Sequence, residues 1–341
     1  MNAITPPLPD HRATAGAVTS RTLPLRAADG AGCDLIVVAP ARPRAGLLWL
    51  PALGVAARHY LPLAAALAQQ GVAVAVHEWR GLGSSDRRAG RRCDWGYREL
   101  LTLDIPASRA AAGATCPGLP WLLGGHSLGA QLAALAVARA PATAVGLIAV
   151  AGGVPDWRTF PPAWRLPLRS LYFSAPLLAR LFGHYPGRRL RFAGNEARGV
   201  IADWAASGAR GRYAAHGLDD DLQAALAALR LPVLGLADDR LVPAASLACS
   251  PACLVRCASR RCWRRPSSPR PASAISAGWA RRARSRRASC PGWTVSGPAD
   301  GAHTGVRQAA AARALASAPA RPQPAAIAFC RGVCPCFCSR R

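Results

Sequence analysis

Residues 121–130 read Trp-Leu-Leu-Gly-Gly-His-Ser-Leu-Gly-Ala, an apolar run that passes through Gly125-His126-Ser127-Leu128-Gly129 into an Ala/Leu-rich stretch. A turn this short between a strand and a helix leaves no room for side chains beside it. Gly125 and Gly129 therefore bracket a strained Ser127 whose hydroxyl is presented outward, the arrangement called a nucleophile elbow. The helix that starts there aims its first amides at the reacting atom, where they stabilise negative charge on a substrate oxygen. In a chain with 32 glycines a bare Gly-x-Ser-x-Gly match carries little weight. The context decides: residues 120–123 are strand-like and residues 131–140 are good helix formers.

The pattern around the elbow alternates strand and helix. Two short apolar runs, 23–26 and 33–39, flank the turn-forming Ala-Asp-Gly-Ala-Gly and predict an opening hairpin. A continuous apolar run at 46–50, helix signals over 59–70 ended by Gly71, and a strand at 72–77 make a βαβ unit. After the loop 78–94 a helix is expected over 97–111, kinked at Pro106. A strand at 144–151 follows the elbow helix, and a helix at 221–229 precedes a strand at 231–236. The fold class is thus α/β: a mostly parallel sheet with helices on both faces. Core segments 1–152 and 214–246 flank an insertion at 153–213, where helical pieces broken by proline hold ten of the 21 aromatic residues. This insertion reads either as a small helical subdomain with its own core or as a lid whose inner face forms an apolar acyl pocket, and the two are compatible.

No stretch of 18 uninterrupted apolar residues occurs, and residues 1–12 lack the charged and apolar regions of a signal peptide, so the sequence predicts a cytoplasmic protein without a membrane span. All 43 basic residues are Arg, which together with heavy use of Ala, Gly and Pro points to GC-rich coding DNA. The net charge of +26 is unevenly placed. Residues 247–341 hold 17 Arg against the single acid Asp300, and nine of the 12 cysteines. That last segment has no Glu, Asn, Tyr or Met and no sustained helix or strand period. A basic disordered tail seldom carries nine cysteines, whereas GC-rich DNA read out of frame yields these residue types, and a frameshift near residue 247 is the favoured reading. The runs Cys249, Cys253, Cys257, Cys262 and Cys330, Cys334, Cys336, Cys338 include no Cys-x2-Cys pair, and zinc is not expected. The Arg clusters with Trp263, Trp279 and Trp293 could hold phosphates and bases without sequence preference, but no platform for them is evident and no specific nucleic-acid partner is expected.

An elbow serine requires a base, and behind it an acid to orient the base. The acid candidate is Asp239, in Asp238-Asp239-Arg240-Leu241-Val242-Pro243 directly after the strand 231–236, on the sheet edge where ligands bind in such folds. A solvated turn in which Asp238 or Asp239 caps backbone amides is the plainer alternative. With the order serine, acid, histidine, only His303 follows Asp239, 64 residues on and inside the suspect segment. His126 sits within the elbow, His77 ends a strand, His59 begins a helix, and His11, His184 and His216 fall in loops. For an oxyanion hole the expected donors are the amide of Leu128 and one from the loop after Leu50, at Leu53 or Gly54.

The elbow, the loop Glu78-Trp-Arg-Gly-Leu-Gly-Ser-Ser85 and the acid turn at 238–243 together resemble α/β-hydrolases. The likeness is closest to bacterial hydrolases grouped with serine aminopeptidases, lysophospholipases and esterases, whose helical cap contains stretches similar to residues 184–188 and 203–213. It spans about residues 23–245. The resemblance implies Ser127 as nucleophile, Asp239 as acid, no cofactor and no metal. The family's last strand, histidine loop and closing helix have no counterpart in the final third. The expected activity is cleavage of small-molecule esters with apolar groups, and the alternative is a hydrolase fold disabled by loss of its histidine. Nothing in the sequence fixes an oligomeric state.

Overall fold

Two nine-residue strands, Val18–Arg26 (β1) and Gly32–Pro40 (β2), pair antiparallel as the expected hairpin. The structure is a computed structural model and describes residues 17–236. Ala45–Leu50 (β3) and Val72–Val76 (β4) are apolar along their whole length and pair in parallel, as strands buried on both faces do. Between them Ala57–Tyr60 forms a 3-10 turn that leads into the helix Leu61–Ala68 (α1). Pro62, in the first turn of α1, lacks an N–H that would be orphaned there anyway, and this sets the helix start later than the residue pattern suggests.

Tyr97–Glu99 (α2), a π-helical turn at Leu100–Asp104 and Ile105–Thr115 (α3) replace the single kinked helix expected here. Pro106 has no N–H to give the carbonyl of Thr102, and the widened turn just ahead of it absorbs the loss. Trp121–His126 (β5), Leu128–Arg139 (α4) and Leu147–Val150 (β6) follow. Next come Pro162–Phe182 (α5), the two-residue strand Tyr185–Pro186 (β7), Gly187–Leu190 (α6), Asn195–Glu196 (β8) and Arg198–Arg210 (α7), with β7 and β8 paired antiparallel. Leu222–Ala228 (α8) and Val233–Leu236 (β9) return the chain to the main sheet. Its order is β1-β2-β4-β3-β5-β6-β9, antiparallel at the first two strands and parallel from β4 to β9.

The expectation of helical pieces broken by proline fails at α5, which runs 21 residues through Pro167 and Pro176. Pro167 costs the carbonyl of Ala163 its helical donor, but Ala163 is exposed, so water can take that place.

The two sheet faces bury separate cores. Leu47 and Trp49 of β3, with Val74 and Val76 of β4, pack with Leu63, Ala64 and Leu67 of α1. Leu48 and Leu50, one residue out of phase, join Ala75 and the buried faces of α3, α4 and α8. This period of two puts helices on both faces and leaves the strand ends free to carry loops.

Candidate active site

β5 ends at His126 and α4 begins at Leu128, so one residue turns the chain from sheet into helix. That residue, Ser127, has φ 52° and ψ −117°, a conformation that costs a non-glycine residue about 1–3 kcal/mol. The surroundings hold it there. Its N–H donates to the carbonyl of Val150 at 2.8 Å, and its own carbonyl accepts from the amides of Ala130 and Gln131 at 3.0 and 3.2 Å. A methyl group on Gly125 would lie 2.4 Å from the backbone of Gly129, and one on Gly129 would lie 2.1 Å from the carbonyl oxygen of Leu50. The bracketing glycines are therefore steric requirements of the turn.

Sheet register brings the other loops level with the serine. Leu50 pairs with Gly125, His126 with Val150, and Val150 with Leu236, so the start of the loop 51–56, Ser127 and the end of β9 stand at one edge. Three side chains clamp the loop 51–56. Trp79 Nε1 donates to the carbonyl of Pro51 at 2.9 Å, the amide of Ala52 donates to the hydroxyl of Tyr60 at 3.0 Å, and the amide of Ala57 donates to Oε1 of Glu78 at 3.1 Å. Burial raises the carboxyl of Glu78 above its ordinary range, against the pull of the amides of Ala57, Ser84 and Trp79. Gly54, with φ +75°, lies against the backbone of Ala193 and Gly194, where a Cβ would come within 2.0 Å of an amide nitrogen. Among the described residues no hydrogen bond engages the amides of Leu53 or Leu128.

The hydroxyl of Tyr60 also lies 2.9 Å from Nδ1 of His126. Since it accepts from Ala52, its own hydrogen is available to that ring nitrogen, and one phenol joins the loop to the elbow. Burial keeps the phenol proton on well above the usual range.

A family model described as serine aminopeptidase, S33, matches residues 41–197. Among solved structures, haloalkane dehalogenase DbeA from Bradyrhizobium elkani USDA94 is 17% identical, covers 71% of this chain and 89% of its own, and superposes with a TM-score of 0.50. The loop variant DbeA-M1 from Bradyrhizobium elkanii, at 16% identity and the same coverages of 71% and 89%, gives 0.51. The chain has the fold of the α/β-hydrolases. No curated protein matches it.

Within this fold the residues that the sequence assigns to the site divide sharply. Ser127, Leu128 and Leu53 stand at the common edge, with Leu128 buried and Leu53 half-buried. Asp239 and His303 lie outside the described residues, as do the cysteine runs and the Arg-rich segment from 247 onward. His77 is committed elsewhere: its Nδ1 bonds the hydroxyl of Ser108 on α3 at 2.8 Å, its ring meets Trp79 edge-on, and burial lowers it to about 3.

The aromatics of the inserted helices do not form one inner face. Tyr172, Tyr185, Trp204 and Tyr213 are buried and Phe192 packs on Tyr185 and Trp204, while Trp164, Phe173 and Phe182 are exposed. Glu196 lies on β8. Burial raises its carboxyl to about 7, although it accepts from the amide of Gly194 at 2.9 Å and feels Arg188. The sequence reading assigned nothing to Tyr60, and it took the stretch 78–85 only as a mark of resemblance. Glu78 and Trp79 in that stretch turn out to be two of the loop's three clamps.

Proposed function

We propose that this hydrolase cleaves carboxylic esters bearing apolar groups through an acyl-enzyme on Ser127. The observation that carries the reading is the backbone of Ser127, strained at φ 52° and fixed by neighbours that would clash with any larger residue at Gly125 or Gly129. Such strain persists only where the surroundings over-determine it, and it gathers at reacting residues. Ser127 Oγ attacks the ester carbonyl while its proton passes to a base. The tetrahedral oxyanion is held by the amides of Leu128 and Leu53, and its collapse expels the alcohol, which takes the proton. Water then attacks the acyl-enzyme by the same route and releases the acid. Chain order assigns His303 as the base and Asp239 as the acid that orients it.

The test is labelling of the full chain with a fluorophosphonate probe, alongside Ser127→Ala, followed by assays on soluble esters and on peptide amides. Labelling lost on substitution, with turnover of esters over amides, is the expected result. A folded chain that takes up no probe would overturn the proposal and make this a hydrolase fold without a working base. Amide turnover in excess of ester turnover would make it a peptidase.

A further inference from the structure

The cap helix α5 is amphipathic in an unusual sense: one apolar face packs on the protein and a second points away from it. Tyr172, Ala175 and Ala179 are buried against the rest of the cap. Leu166, Phe173, Leu177 and Leu181 are 72%, 74%, 48% and 63% exposed. At 3.6 residues per turn these four lie within about 80° of one another around the helix, opposite the buried set. Residues 166–181 cover about 23 Å of the helix, so the four form an apolar ridge interrupted on the same face by exposed Ser170. Single exposed leucines need no explanation, but an aligned series including a phenylalanine marks an interaction surface.

Charge identifies the partner. Residues 157–195 contain seven arginines and no acid. Arg165, Arg169 and Arg180 border the ridge on one side by the same helical geometry, all three exposed. Among the described residues none of the three forms an ion pair with a carboxylate. No helix of the described residues is long and apolar enough to cross a membrane. Arg165 donates to the carbonyl of Phe160 and Arg169 lies over the ring of Trp157, contacts that leave their charge without a neutralising carboxylate. A ridge of Leu and Phe edged by such Arg is instead the composition of a helix lying in the plane of a lipid–water interface, with apolar side chains among the acyl chains and guanidinium groups at the phosphates. A second copy of this chain is a poorer fit, because two such faces would bring like charges together in a two-fold contact.

We propose that α5 docks the protein on an anionic lipid bilayer through Leu166, Phe173, Leu177 and Leu181, with Arg165, Arg169 and Arg180 at the headgroups. The surface acts independently of the chemistry at Ser127, so an inactive chain would still dock.

The experiment is co-sedimentation of the full chain with vesicles of phosphatidylcholine alone and of phosphatidylcholine mixed with phosphatidylglycerol. The comparison is with Phe173→Ser/Leu181→Ser and with Arg165→Gln/Arg180→Gln, each checked for wild-type circular dichroism. Every protein compared carries the same basic segment beyond residue 247, so attraction of that segment to the vesicles cancels. Partition of the wild type is expected to favour the anionic vesicles and to fall about a hundredfold in the Phe/Leu variant, from tenfold or more per buried side chain. The Arg variant should lose the preference for anionic lipid. Three results would each overturn the proposal: no binding of the wild type to either vesicle, equal binding of the wild type and the Phe/Leu variant, or a wild-type dimer that the Phe/Leu change turns into a monomer without altering vesicle binding.

Discussion

Replacing Gly129 by alanine isolates the steric demand of the elbow. In an ordinary helix Gly→Ala stabilises by about 0.8–1 kcal/mol, because the glycine's extra backbone freedom no longer has to be lost. At Gly129, the second residue of α4, the new methyl carbon would sit 2.1 Å from the carbonyl oxygen of Leu50 and 2.4 Å from that of Pro51. Relief to the shortest tolerable contact needs the end of β3 to retreat by roughly 1 Å, and backbone cannot rotate aside as a side chain can. Overpacking of this kind costs about 1–3 kcal/mol, and a clash with backbone belongs at the upper end. Net of the helix gain, Gly129→Ala should destabilise by about 2 kcal/mol, which lowers Tm by about 4–8 °C for a domain of this size. Gly113 in α3 supplies the control, since a methyl there meets only the far end of Arg109, at 3.0 Å. Gly113→Ala should therefore raise the midpoint of urea unfolding while Gly129→Ala lowers it. The retreat also drags the loop 51–56 away from Ser127, so fluorophosphonate labelling should fall in Gly129→Ala and hold in Gly113→Ala. If both substitutions stabilise alike, the close approach at Gly129 does not exist and the account of the elbow is wrong.

Three further changes address the surroundings of the site. Tyr60→Phe leaves the buried amide of Ala52 without its acceptor, at a cost of about 1–3 kcal/mol in urea unfolding, and should slow labelling of Ser127 about tenfold by loosening the neighbouring Leu53 amide; an unchanged labelling rate would show that the phenol does not position the loop. Glu196, raised by burial to about 7, holds its proton in the folded chain at a pH where the unfolded chain has released it. Its contribution is therefore present below about pH 4.5 and lost as the pH climbs to 7, a swing of about 3 kcal/mol. Glu196→Gln should match the wild type at pH 4.5 and exceed it at pH 8 in urea midpoint, and parallel pH profiles would refute this. Arg80 is buried and binds both oxygens of buried Asp104 at 2.7 Å as well as Asp29, whose carboxyl it holds below the usual range. Arg80→Met should cost about 3–5 kcal/mol in chemical unfolding by stranding Asp104, and adding Asp104→Leu should restore most of it; no recovery in the double variant would mean the arginine acts through packing.

The sheet was legible because its signals are local. The runs at 46–50 and 72–77 and the ten residues around Ser127 each contain enough pattern to specify strand, turn or helix without reference to distant chain. The cap was read less well, for two reasons. Proline was taken as a helix breaker, yet α5 passes through Pro167 where the carbonyl it strips of a donor belongs to exposed Ala163. Aromatic density fits a separate small core as well as an apolar lining and does not say which way each ring faces: Tyr172 and Phe173 are neighbours on a helix and so point about 100° apart, the first buried and the second in solvent.

The loop 51–56, which we propose lines an oxyanion site, shows why such a site leaves so faint a trace in sequence. Its working groups are backbone amides, which every residue but proline supplies, so the identities of Leu53 and Leu128 carry almost no signal. What the function constrains is the loop's position, and that is set by Tyr60, Glu78 and Trp79. These act across the fold: Tyr60 and His126 stand 66 residues apart, Trp79 and Pro51 28. The position of a backbone amide is thus set by a phenol, a carboxylate and an indole elsewhere. In a chain of this fold, the residues to mutate when asking whether a backbone group takes part in catalysis are the clamps that hold it.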